Sequence, residues 1–202
     1  MTGQVQASTL SSGVEWARRL GVAALAGGIA GLVAGGVGGR LFMLVLARLN
    51  DPRATGVLSD DGFVIGRFTL AGTINLLLVS TVFGVIGGLV WVAVRGLRFG
   101  PRWWRRVSVP LGATLVIGAM MVHSDGVDFT LLDPPLVAVA LTLGVPLLAT
   151  VVVAWLGDRW IGSDRTVWQR MPAAVAWTAR VALTLFAGWA LVDLATTISR
   201  IL

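Results

Sequence analysis

Hydrophobic and polar positions fall into long apolar runs separated by short polar breaks, without the sustained one-faced alternation of a helix or strand lying against water. Five runs stand out, near 21–49, 68–94, 107–122, 136–156 and 176–199. About 20 residues rising 1.5 Å each cross the hydrocarbon of a bilayer, so four runs have the length of a membrane span and the third is short. The pattern predicts an all-α polytopic integral membrane helix bundle of about five transmembrane helices, one domain over 21–202. A loose polar leader over 1–20 precedes it, with an interfacial lead-in that carries Glu15, Trp16, Arg18 and Arg19.

Within the first run, Gly27, Gly31, Gly35 and Gly39 recur at every fourth residue and end against Arg40. In lipid, such a stripe without side chains lets a neighbouring backbone approach closely, and Gly84 and Gly88 repeat the spacing in the second run. These six glycines are therefore read as helix-packing positions. Their partner is another helix of the same bundle, a second copy of the chain or another membrane protein. Asp133, Pro134 and Pro135 form an N-cap with prolines in the first helical turn, which starts the fourth span.

Composition strengthens the membrane assignment. Of 202 residues 56% are hydrophobic and 13% charged, with a mean hydropathy of +0.85 and 26 glycines. All 16 basic residues are arginine, a bias we attribute to a GC-rich bacterial genome. The net charge of +6 does not indicate nucleic acid, because the arginines sit in short breaks between apolar runs, where membrane orientation accounts for them. The leader, the turn over 95–106 and the turn over 159–170 carry most of them. All three fall on one side of an alternating bundle, which orients the N-terminus to the cytoplasm and the C-terminus outside. Trp16, Trp91, Trp103, Trp104, Trp155, Trp160, Trp168 and Trp177 lie near that same face, as an interfacial belt would. The localisation implied is a bacterial cytoplasmic membrane, with the lipid bilayer as the first partner and the chain uncleaved.

Several chemistries are excluded. Without cysteine there is no disulfide, thiolate metal site or cysteine nucleophile. Without lysine there is no Walker A motif, retinal Schiff base or pyridoxal phosphate linkage. A single histidine, His123, cannot complete a multi-histidine metal or haem site. No cofactor is expected, and no catalytic motif is identifiable.

The polar residues on the outer side form the candidate site: Arg40, Asp60, Asp61, Asn75, His123, Asp125, Asp128 and Asp193. An arginine at the centre of a span costs about 2.5–3.5 kcal/mol, so Arg40 calls for a partner, and Asp193 lies at a comparable depth. An Arg40–Asp193 ion pair is expected, either as a structural lock or as part of an ion or solute path with Asn75. The carboxylates Asp60, Asp61, Asp125 and Asp128 could hold Ca²⁺ or Mg²⁺ through oxygen ligands, or serve as solvated turn and cap residues. His123 with Asp125 and Asp61 could act as an acid–base set on a lipid-linked substrate. Weighing these, the sequence favours an accessory or scaffold membrane component, ahead of a small-solute or ion transporter and of an outer-surface enzyme.

Overall fold

The computed structural model describes residues 2–50, 56, 69–126, 129, 134–162 and 167–202, and every element among them is helical. Helix α1 (Thr2–Ala30) passes without a break through a π-helical segment, Gly31–Gly38, into α2 (Gly39–Leu49). Next come α3 (Leu70–Val94), closed by a 3₁₀ turn over Arg95–Leu97, and α4 (Arg102–Met121). Then α5 (Pro135–Ile161), a 3₁₀ turn over Val167–Arg170 and α6 (Ala173–Ile201) complete the chain.

Local chemistry sets these limits. The Thr69 hydroxyl accepts the Gly72 N–H at 3.3 Å and caps α3. Pro101, Pro134 and Pro172 stand at the N-caps of α4, α5 and α6, where a missing N–H leaves nothing unsatisfied. The capping residue of α5 is thus Pro134, while Asp133 lies outside the described residues. The leader, expected to be loose, is helical from Thr2 onward. It holds no proline, so nothing in it stops a helix from extending beyond the apolar run.

Close contacts establish the direction of each helix. Gly27 meets Gly84 and Gly88 while Gly39 meets Leu76, so α3 runs antiparallel to α1–α2. Gly118 meets Leu143 and the Thr150 hydroxyl reaches toward the Pro110 carbonyl at 3.5 Å, so α5 runs antiparallel to α4. Gly112 approaches Ala187 and Gly118 approaches Leu194, which makes α4 and α6 parallel. The chain therefore traverses the bundle in alternating directions. One apolar cluster of Ala23, Ala30, Trp91, Val92, Val153, Ala154 and Ile161 forms at the arginine-rich end. A second, of Leu46, Val122, Phe129, Ala138, Val139 and Leu194, forms at the opposite end.

Among the described residues, four helical stretches are long and apolar enough to cross a membrane: Gly13–Leu49, Leu70–Leu97, Pro135–Ile161 and Ala173–Ile201. Helix α4 spends its first turns on Arg102, Arg105 and Arg106, which leaves about 15 apolar residues, or about 22 Å of rise. The first stretch is the most enclosed of the four and the last is the least. Large apolar side chains such as Phe83, Leu185 and Trp189 face outward at 61–69% exposure, as in a protein whose surroundings are apolar.

The π-helical segment explains how the glycine stripe stays on one face. Four residues of α-helix advance about 400°, so rungs four apart drift about 40° each and would wind off the contact. The wider i→i+5 turn reverses that drift. Gly27 and Gly31 lie on the backbones of Gly84, Gly88 and Ser80, Gly35 and Gly36 lie on Ser80 and Leu77, and Gly39 still faces Leu76.

Candidate functional site

Among the described residues singled out at the end opposite the arginine-rich turns, no hydrogen bond or ion pair joins Arg40, Asn75, His123, Asp125 and Asp193 to one another. Arg40, the second residue of α2, is half-buried with its Nη1 3.9 Å from the Met43 sulfur. Asn75 is exposed on α3. Asp193 is half-buried on α6, and its backbone carbonyl accepts the Thr196 hydroxyl at 2.8 Å. The expected Arg40–Asp193 ion pair is not formed; among the described residues the ion pairs are Glu15–Arg18, Glu15–Arg19 and Arg98–Asp158. Helix α6 lies chiefly against α4 and α1–α2 chiefly against α3 and α5, and α2 and α6 meet through the apolar cluster that holds Leu46 and Leu194.

His123 and Asp125 are exposed in the turn after α4, where the Gly126 N–H donates to the His123 carbonyl at 3.2 Å. Asp60, Asp61 and Asp128 lie outside the described residues. Among the described residues no three His, Asp or Glu side chains converge.

The built site lies at the other end. Gly100, at φ 83°, permits the tight turn that joins the end of α3 to the start of α4. The last carbonyls of a helix have no partner within it and need donors from elsewhere. Here three side chains supply them. The Trp168 indole N–H donates to the Ala93 carbonyl at 2.6 Å, Arg98 Nε to the Arg95 carbonyl at 3.0 Å and Arg180 Nε to the Leu97 carbonyl at 3.1 Å. Donors from the 3₁₀ turn after α5, from the α3–α4 turn and from α6 thus tie those elements to one point.

Beneath this point Trp91 is buried at 3% exposure, with its ring over Gly157 of α5, where any β-carbon would collide with it. The guanidiniums of Arg95 and Arg98 stand 5.3 and 5.9 Å from the ring centroid, in range for cation–π attraction. Arg98 also grips both carboxylate oxygens of Asp158, at 3.0 and 2.9 Å. Arg180 lies 5.2 Å over Trp177. Arg180 therefore belongs to this end of the bundle, level with the α3–α4 turn.

A cavity of about 400 Å³ opens above these contacts, lined by Arg95, Arg98, Arg102, Arg105, Arg106 and Arg180, with Asp158 as the one carboxylate among the described residues. Gly96, Trp168, Gln169 and Ala176 also line it. Comparison with known protein families, curated proteins and solved structures finds no match. The chemistry of the cavity must therefore be read from its own residues.

Five of the cavity's arginines divide into two sets. Arg98 and Arg180 are tied to a carboxylate, to carbonyls or to a ring, and act as framework. Arg102, Arg105 and Arg106 are exposed on one face of the first two turns of α4, and among the described residues they enter no ion pair. They also stand at the positive end of the helix macrodipole, where each cation costs about 0.3–1 kcal/mol and an anion is favoured. Ala176, in the first turn of α6, brings a second positive helix end to the same wall. Among the described residues the wall's one carboxylate is engaged by Arg98, which leaves the three arginines of α4 to favour an anion.

The sequence reading passed over this site because membrane orientation alone accounts for arginine-rich turns. One signal was available: Arg102, Arg105 and Arg106 at i, i+3 and i+4 directly after a proline, against the helix dipole and with no acid nearby in the chain.

Proposed function

We propose that the chain is a non-enzymatic multi-pass component of a bacterial cytoplasmic membrane, an accessory or scaffold protein that works through its arginine-rich end. In this reading all five long helices span the bilayer, the N-terminus and the basic cavity face the cytoplasm and the C-terminus lies outside. The observation that carries it is the cavity itself: among the described residues, six guanidiniums from three segments around one already paired carboxylate. A transporter or enzyme working through Arg40, Asn75, Asp193 or His123 finds less support, because among the described residues no ion pair joins Arg40 to Asp193 and no three His, Asp or Glu side chains converge. Reporter fusions test the reading. A phosphatase fused after Leu202 should be active, and a fluorescent protein fused after Pro101 should fluoresce; the reverse result would place the cavity outside and overturn the proposal.

A further inference from the structure

We propose that the basic cavity binds the phosphoryl group of an anionic membrane lipid, with Arg102, Arg105 and Arg106 as its direct ligands. The inference rests on the reading of this end as the working end, and it adds the ligand class.

Three observations support it. First, the cavity is built: Arg98 and Arg180 are fastened by the Asp158 carboxylate and the Arg95 and Leu97 carbonyls, so the wall is fixed before any ligand arrives. Second, the three arginines of α4 line it without an ion pair among the described residues, and they project from a helix N-terminus, where backbone N–H groups add to the positive field. A tetrahedral oxyanion satisfies several forked guanidinium donors at once, and a carboxylate satisfies fewer. Third, the level is that of lipid headgroups. Trp103 and Trp177, both at least 60% exposed, flank the lining residues Arg102 and Ala176 in sequence, and exposed tryptophans gather at the membrane–water boundary. A soluble phosphate ester would present the same group, but it would gain nothing from a site at this depth.

The test uses the full chain purified in mild detergent, with native mass spectrometry reading lipid retained from added phosphatidylglycerol or phosphatidylcholine. The variants are the triple Arg102→Gln, Arg105→Gln, Arg106→Gln and a control, Arg48→Gln with Arg200→Gln, which removes charge at the opposite end. Tryptophan fluorescence melting confirms that each variant is folded. Retention of phosphatidylglycerol over phosphatidylcholine by the wild type and the control, with a loss of about tenfold or more in the triple variant, is the expected result. Equal retention of the two lipids by the wild type, or equal retention of phosphatidylglycerol by the wild type and the triple variant, overturns the inference. In a competition arm, displacement of phosphatidylglycerol by millimolar glycerol phosphate would overturn the lipid as source and assign the site to a soluble phosphate ester. None of these outcomes depends on orientation, so the fusions after Leu202 and Pro101 can fail while lipid binding stands, and the reverse.

Discussion

Arg98 closes a bidentate ion pair on Asp158 across 60 residues of chain, Nη1 to Oδ2 at 3.0 Å and Nη2 to Oδ1 at 2.9 Å. It joins the turn after α3 to the last turns of α5 and closes the floor of the basic cavity. Asp158 retains 41% side-chain exposure, so water screens the pair and its contribution is about 1 kcal/mol. Asp158→Ala should lower the melting midpoint in detergent, followed by tryptophan fluorescence, and the difference from wild type should shrink in high salt. An unchanged midpoint at low salt would show that the clasp does not contribute.

Glycines along α1–α3 should separate by what lies opposite them. A β-carbon at Gly31 would strike the Ser80 carbonyl, and one at Gly84 would strike the Gly27 carbonyl, neither of which can move without shifting a helix. Gly31→Leu should lose about 3 kcal/mol or more and most of the folded yield. Gly87 and Gly144 have open space where a β-carbon would stand, so alanine there should be neutral or stabilise by up to about 1 kcal/mol. Comparable losses at Gly31 and Gly87 would refute the contact between α1 and α3.

Arg40 and Asp193 form no ion pair with each other. In a double-mutant cycle, Arg40→Gln and Asp193→Asn should therefore add within about 0.5 kcal/mol. A coupling well above that, measured by thermal melting, would restore the expected ion pair.

Two tryptophans with similar surroundings in sequence should behave differently. Trp91 is 3% exposed beneath two guanidiniums, and Trp155 is 64% exposed on the outside of α5. Trp91→Ala should cost about 3–5 kcal/mol by leaving a cavity at the floor of the site. Trp155→Ala should cost under about 0.5 kcal/mol. Equal losses would mean that Trp91 is not enclosed.

Much of the architecture was readable in the runs themselves. The apolar stretches near 68–94 and 136–156 became α3 and α5 with ends shifted by a few residues, because length and apolarity are properties of the chain alone. The π-helical turn over Gly31–Gly38 was not readable, since it arises from holding a drifting stripe against α3. Counting residues along the chain predicts a comparable depth for Arg40 and Asp193, but depth along a helix says nothing of rotation or of which helices adjoin. Arg180 could not be assigned to the arginine-rich end of the bundle until the Leu97 carbonyl lay opposite it.

Sequence alone determined that this chain is helical, apolar and punctuated by arginine-rich turns, because hydrophobic length and the positions of charge are local quantities. Tertiary structure decided which arginines are framework and which line a cavity. That choice depends on where the carbonyls at the end of α3, the Asp158 carboxylate and the Trp91 ring come to rest around the α3–α4 turn. Such an arrangement is set by contacts between residues far apart in the chain, which no local pattern records.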